Sequence, residues 1–312
     1  MTTLLERFLA TKRSPNTRAA YRGDITAFLA KFGWGMLAYP DFCRISASRM
    51  SDQVGAFLAG VRKIDEHTGR VLNPQTWNRK RNALSSFFGY LVDWHRYPRN
   101  PVRIFRLLPT RRKSSTQGLN ASEVRTILDH LQHIRDDRKT ESSARDYLVV
   151  LFLFHYALRR SELVSLQWSD FHPRQGFFEV VQKGGEPRLK PLVNEDWAGL
   201  SEFRQRYPCD CPYVFHGVRR HPKTKRYHPL SPAYIFKMVT KVACEVLPYK
   251  HITPHSFRCS FVGIALDLGV DPVKIAHDGG WADLKMIGYY DPRDYQQDSA
   301  IAMVACHQGR AK

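Results

Sequence analysis

The chain has 312 residues, of which 43% are hydrophobic and 12% aromatic. That is enough for two ordinary domains with a substantial core, and it excludes a disordered or fibrous protein. The formal net charge of +19 points to a polyanionic partner, DNA or RNA.

The positive charge is concentrated in the first third, where residues 1–113 hold 21 Lys and Arg against 7 Asp and Glu. This region reads as helical. Ser14-Pro15 has the form of an N-cap followed by proline at the first helical position, with Tyr21, Ile25, Phe28 and Leu29 on one apolar face. Ser51 is expected to cap a second helix bearing Val54, Phe57, Leu58 and Val61. Asn73-Pro74 opens a third, with Trp77, Leu84, Phe87, Phe88 and Leu91 turned inward. Around the rest of that helix stand Asn78, Arg79, Lys80, Arg81 and Asn82. Amid so much positive charge, this is expected to be a phosphate-contacting face rather than a merely solvated one.

Residues 108–118, Leu-Pro-Thr-Arg-Arg-Lys-Ser-Ser-Thr-Gln-Gly, mix breakers with charge and show no apolar periodicity. They read as a basic linker in which Arg111 and Arg112 are DNA-binding candidates. The expected organisation is therefore a helical domain over 1–107, the linker over 108–118 and a second domain over 119–312 that includes a short apolar tail helix at Ser299–Cys306.

The second domain opens with a helical pattern at Val124, Ile127, Leu128 and Leu131, followed by a largely buried helix around 147–157. Residues 176–182 and 188–192 flank Lys183-Gly-Gly185 as a hairpin, and Pro187 and Pro191 confine its second strand to an edge. Further helices are expected over 231–246, 254–268, 272–277 and 282–290. The fold class is mainly α with a small β-hairpin or sheet.

The longest uncharged apolar run, 147–158, is too short to span a bilayer and contains His155. The opening MTTLLERFLATKR lacks a signal-peptide layout, so no membrane partner is expected. Six scattered cysteines fit reduced thiols in a cytoplasmic or nuclear compartment. Cys209, Cys211, His216 and His221 form a possible zinc set, but the C-x-C spacing is tighter than structural zinc sites use. A polar surface loop is the better reading, and no metal is expected.

Four separated segments of the second domain carry residues suited to a phosphodiester. Arg159 follows the buried helix with Glu162 three residues on; it can grip non-bridging oxygens bidentately, or form an ordinary surface pair. Thr253-Pro254 starts a helix with His255 and Arg258 on one side of its first turn, which suits an anion as well as a capping histidine. Lys183 in the hairpin turn could reach a groove and protonate a leaving oxygen. Gly279-Gly280 permits a sharp reversal into Trp281, whose indole N–H can donate to an oxygen while the ring packs.

As a set these residues resemble the tyrosine recombinase (phage integrase) family, over nearly the whole chain. Arg159 stands in a stretch like Gly-Leu-Arg-x-Ser-Glu-Leu, Lys183 begins a segment like the catalytic hairpin, and His255-Ser-Phe-Arg258 matches the His-x-x-Arg signature. Trp281 falls where most members have histidine and the Cre-like branch has tryptophan. Tyr290, nine positions beyond it, falls where the family has its nucleophile. The first domain is similar to the family's core-binding domain in Asn16–Tyr21 and Asn78–Leu91. The chain departs from the pattern at Ala157, Cys259 and Asp278-Gly279.

The resemblance implies a site-specific DNA recombinase that cuts and rejoins strands through a covalent 3′-phosphotyrosyl link, without metal, ATP or other cofactor. Tyr290 would be the nucleophile rather than its neighbour Tyr289. Arg159 and Arg258 would stabilise the pentavalent phosphate. Lys183 would be general acid, His255 proton acceptor and Trp281 a hydrogen-bond donor, with Glu162 orienting its neighbours. Double-stranded recombination sites would be the substrate, with self-association to a tetramer, accessory proteins, and a nucleoid-associated cytoplasmic or nuclear location. Two rival readings remain: a type IB topoisomerase or hairpin resolvase with the same chemistry, and a DNA-binding protein whose catalytic set has lapsed.

Overall fold

The computed structural model describes residues 3–34, 45–64, 71, 73–110, 114, 116–181 and 187–291. Lys183, Arg111 and Arg112 lie outside the described residues. By its internal packing the chain divides into two compact units, Met1–Arg111 and Arg112–Lys312.

The first unit contains helices α1 (Leu4–Ala10), α2 (Pro15–Lys31), α3 (Ala47–Val61) and α4 (Pro74–His95). Its core is aromatic: Phe28 packs edge-on against Phe57 and Phe88, with centroids 5.4 and 6.2 Å away, and Trp77, Leu84 and Leu91 close around them. Ser14 caps α2 as expected, accepting from the Thr17 N–H. The cap of α3 is a correction. Ser46, not Ser51, accepts from the Arg49 N–H, so the helix begins a turn earlier and buries Met50 as well. Ser51 sits inside the helix and donates to the carbonyls of Ala47 and Pro101.

The polar side of α4 is engaged within the first unit. Asp24 of α2, 3% exposed, pairs with Arg79 and, at 2.9 Å, with Lys80. Arg81 Nε donates to the Phe105 carbonyl at 2.9 Å. Asn78 holds residue 108 by accepting from the Leu108 N–H and donating to its carbonyl. A buried carboxylate and two carbonyls thus tie down a row that the sequence presents as free cations.

The second unit begins with α5 (Ala121–Arg138), started by a capping box in which Asn120 and Glu123 satisfy each other's backbone N–H groups. Helix α6 (Glu141–His155) starts a turn and a half before its apolar run and carries Leu148 to Leu153 through the core. A short α7 (Arg160–Ser165) leads to a three-stranded antiparallel sheet of β1 (Phe171–His172), β2 (Phe177–Val181) and β3 (Pro187–Pro191). The two prolines stand on an edge strand, as their missing donors require. Helix α8 (Asn194–Arg206) was not anticipated. It is followed by α9 (Pro232–Val246), α10 (Pro254–Asp267), α11 (Pro272–Gly279) and α12 (Lys285–Tyr290). Helix α12 begins three residues later than its expected start at Ala282. No helix among the described residues is long and apolar enough to cross a membrane.

Candidate active site

Arg159 is launched from a strained corner. Helix α6 ends at His155, and Ala157 takes a left-handed backbone (φ 49°) that reverses the chain. Arg159 is then the N-cap of α7. Its N–H donates to Glu162 Oε2 at 2.8 Å and its guanidinium to Glu162 Oε1 at 2.5 Å. The buried Glu162 carboxylate therefore fixes both backbone and side chain of Arg159, whose head stays partly open to solvent.

On α10, Pro254 occupies the first turn and the Thr253 N–H donates to Ser256 Oγ. This presents half-buried His255 and, one turn on, Arg258, which is 1% exposed. Arg258 donates to the Ala157 carbonyl and, at 2.9 Å, to the Gly279 carbonyl; its Nε is buried and has no partner among the described residues. Burial, with Arg159 close by, lowers its pKa to about 10.

Trp281 follows α11 through Gly280, which has φ 72°. A side chain on Gly279 would collide with the indole, since an added Cβ would lie 1.8 Å from a Trp281 ring carbon. The indole lies over Arg258, and its Nε1 is buried without a partner among the described residues.

Tyr290 closes α12. Its ring meets His255 at 5.2 Å, Trp281 at 5.3 Å and Tyr289 at 5.1 Å between centroids. Of the two tyrosines Tyr290 is the more deeply set, at 8% exposed, whereas Tyr289 is only half-buried. Tyr289 packs from outside against the small cluster that holds Tyr290, Trp281 and Ile287. The Tyr290 ring is covered by His255 and Trp281. Burial raises the Tyr290 phenol pKa, while Arg258 and Arg159 pull it back. Burial, then Arg258, Arg159 and Arg160, hold the His255 pKa below its ordinary value. The histidine is thereby kept a neutral acceptor at neutral pH.

The structure thus brings together Arg159, Glu162, His255, Arg258, Trp281 and Tyr290 from α7, α10, the α11–α12 turn and α12. Sequence reasoning missed Lys190 of β3. Its ammonium is buried beside Arg258, with a pKa lowered to about 8 by burial and then by that guanidinium. Its only signal was a lysine on a strand, and which face of the strand it takes depends on register. Cys259 is a buried thiol pushed up to about 11.

The zinc candidates do not converge. His216 is buried rather than on a surface loop, with its ring facing Glu141 and the Gly217 carbonyl. His221 accepts from backbone N–H groups of its own turn. Among the described residues no three His, Cys, Asp or Glu side chains are grouped to hold a metal.

Residues 117–297 match the model of the phage integrase family. The chain belongs to the phage integrase family. Among curated relatives, tyrosine recombinase XerD of Listeria innocua serovar 6a is 27% identical over 287 residues, covering 89% of this chain and 88% of its own. The family chain also shares its fold with two solved structures. One is the XerH site-specific recombinase bound to palindromic difH substrate in a post-cleavage complex, with TM-score 0.62 and 20% identity over 92% of this chain and 78% of that one. The other is a lambda integrase tetramer bound to a Holliday junction, with TM-score 0.64 and 15% identity over 93% and 78%. As a family member this chain is a site-specific tyrosine recombinase, an enzyme that cleaves and rejoins DNA.

Proposed function

We propose that Tyr290 is the nucleophile of this recombinase and that the groups around it do the rest of the chemistry. The Tyr290 oxygen attacks the scissile phosphorus, a new P–O bond forms, and the bond to the 5′ oxygen breaks, leaving a 3′-phosphotyrosyl link. His255 takes the phenolic proton, and Lys183 protonates the departing 5′ oxygen. A 5′-hydroxyl of a second strand later reverses the step. Because one phosphodiester replaces another, the exchange needs no external energy source.

Arg159, oriented by Glu162, binds the non-bridging oxygens. Arg258, whose terminal nitrogens already hold carbonyls, adds positive charge and its free Nε–H. Trp281 donates its indole N–H. The observation that carries the reading is the buried Trp281 Nε1, without a partner among the described residues, beside the Tyr290 ring and over Arg258. A buried donor without an acceptor costs stability unless a ligand supplies one.

In this reading duplex recombination sites are the substrate, and the basic first unit, with Arg111 and Arg112, contributes phosphate contacts. Arg79, Lys80 and Arg81 contribute through charge while also serving the fold. Strand exchange takes place in a tetramer. An apolar cavity of about 460 Å³ lined by Phe154, Val193, Phe261, Ile264, Leu268 and Ile275 supports assembly. It suits the apolar tail segment 299–306 of a neighbouring subunit.

The test is a duplex nicked beside the scissile phosphate, which traps covalent protein on DNA. The wild-type chain forms the adduct, Tyr289→Phe retains it and Tyr290→Phe abolishes it. An adduct that survives Tyr290→Phe refutes the assignment. Relaxation of supercoils without paired sites would favour the topoisomerase reading instead.

A further inference from the structure

Strand β3 carries an inverted pattern. Pleating sends alternate side chains to opposite faces, and the residue this strand turns to the core is Lys190, 4% exposed, while its neighbour Leu189 is 55% exposed. In register Lys190 stands opposite Phe178, which is buried. An ammonium placed there loses its hydration, and an aliphatic side chain would satisfy the same strand without that cost.

What the ammonium gains is specific. Lys190 Nζ donates to the Tyr156 carbonyl at 2.8 Å and to the Asp278 carbonyl. One residue further along both segments, Arg258 makes a bridge of the same kind, from the Ala157 carbonyl to the Gly279 carbonyl. Two cations therefore span the same two turns in parallel. The first turn ends α6 and launches Arg159; the second ends α11 and leads into Trp281. The carbonyls lie at helix C-termini, where the backbone dipole favours a cation. Arg258, Glu162, Asp278 and Arg188 are the charged groups that act on the ammonium.

We propose that Lys190 is a positioning residue for strand cleavage. Its ammonium, paired with Arg258, clamps the turn that carries Arg159 to the turn that presents Trp281. It touches no substrate atom. Arg258 alone would join the turns at one point, about which they could pivot. The second bridge removes that freedom and fixes the gap across which the phosphate is held. The proposal rests on the assignment of Tyr290 as nucleophile.

The experiment measures single-turnover adduct formation on the nicked duplex for wild type, Lys190→Met, Lys190→Val and Tyr290→Phe, with DNA affinity and thermal unfolding measured in parallel. A buried charge replaced by a packed apolar chain commonly leaves a protein as stable or more so, so at least one apolar variant is expected to fold. The expected result is DNA affinity within about twofold of wild type and cleavage at saturating protein slowed at least about tenfold. A folded variant that cleaves at the wild-type rate overturns the proposal, as does a loss that appears equally in affinity. Failure of both apolar variants to fold also overturns it, because the ammonium would then serve the fold rather than the site. If wild type gives no adduct dependent on Tyr290, the assignment beneath the proposal fails, and that outcome is distinct from all the others.

Discussion

The guanidinium carbon of Arg258 lies 4.5 Å from the centroid of the Trp281 ring, so the indole is stacked on a cation while its own N–H has no partner among the described residues. The two functions of the side chain can be separated. Trp281→Phe keeps the stacking surface and loses the donor. It is expected to slow adduct formation by roughly tenfold or more, the worth of one hydrogen bond to a charged group, with DNA affinity unchanged. Trp281→His restores a donor and recovers part of the rate. Equal rates for wild type and the Phe variant would show that the indole serves packing alone.

As the proposed proton acceptor, His255 would give the reaction a pH dependence of defined direction. Its folded-state pKa lies below the ordinary 6.5 because of burial and the surrounding arginines. Between that depressed value and 6.5 the unfolded chain binds more protons than the folded one, so stability falls as pH drops through this window. In the folded chain the proton acceptor itself is lost only as pH falls through that depressed value. Single-turnover cleavage followed from about pH 5 to 8 is expected to show its acidic limb below 6.5, and His255→Gln should abolish that limb along with most of the rate.

Asp24 anchors Arg79 and Lys80 inside the first unit. Asp24→Ala is expected to lower the stability of that unit by about 2 kcal/mol in denaturant titration. This is less than the ~3–5 kcal/mol of a fully buried pair, because both cations reach solvent. Lys80→Ala should reduce stability while changing the slope of log K against log salt by less than the ~0.9 that a full phosphate contact contributes. A full unit of change would restore Lys80 as a direct contact.

The tail and the chemistry are separable. A chain ending at residue 298 retains Tyr290 and its neighbours and is expected to form the adduct on nicked DNA, yet to lose recombination between paired sites and to sediment with DNA as a smaller complex. Recombination at the full rate would remove the tail from assembly.

Local signals were legible where chemistry acts over a few residues. Ser14-Pro15 and Thr253-Pro254 start helices as read, and Pro187 and Pro191 mark an edge strand. Ser46 and Ser51 offer the same oxygen five residues apart; the earlier one is the cap, and Met50 is buried in the turn it adds. Helix α8 went unread because Trp197, Leu200 and Phe203 are spaced among charges and do not form a strong stripe. The functional set was legible as an ordered series of motifs. The carbonyls held by Arg258 and Lys190 and the carboxylate that claims Arg79 and Lys80 come from distant segments, and no local pattern encodes them.

The Ser114 N–H donates to the carbonyl of Tyr289 at 2.8 Å, one peptide bond before Tyr290. The segment that enters the second unit is thus moored to the backbone of the reactive helix near its end. Ser114 also reaches the Cys259 side chain on α10, so the entering segment is fastened both to the helix that ends in Tyr290 and to the one that carries His255 and Arg258.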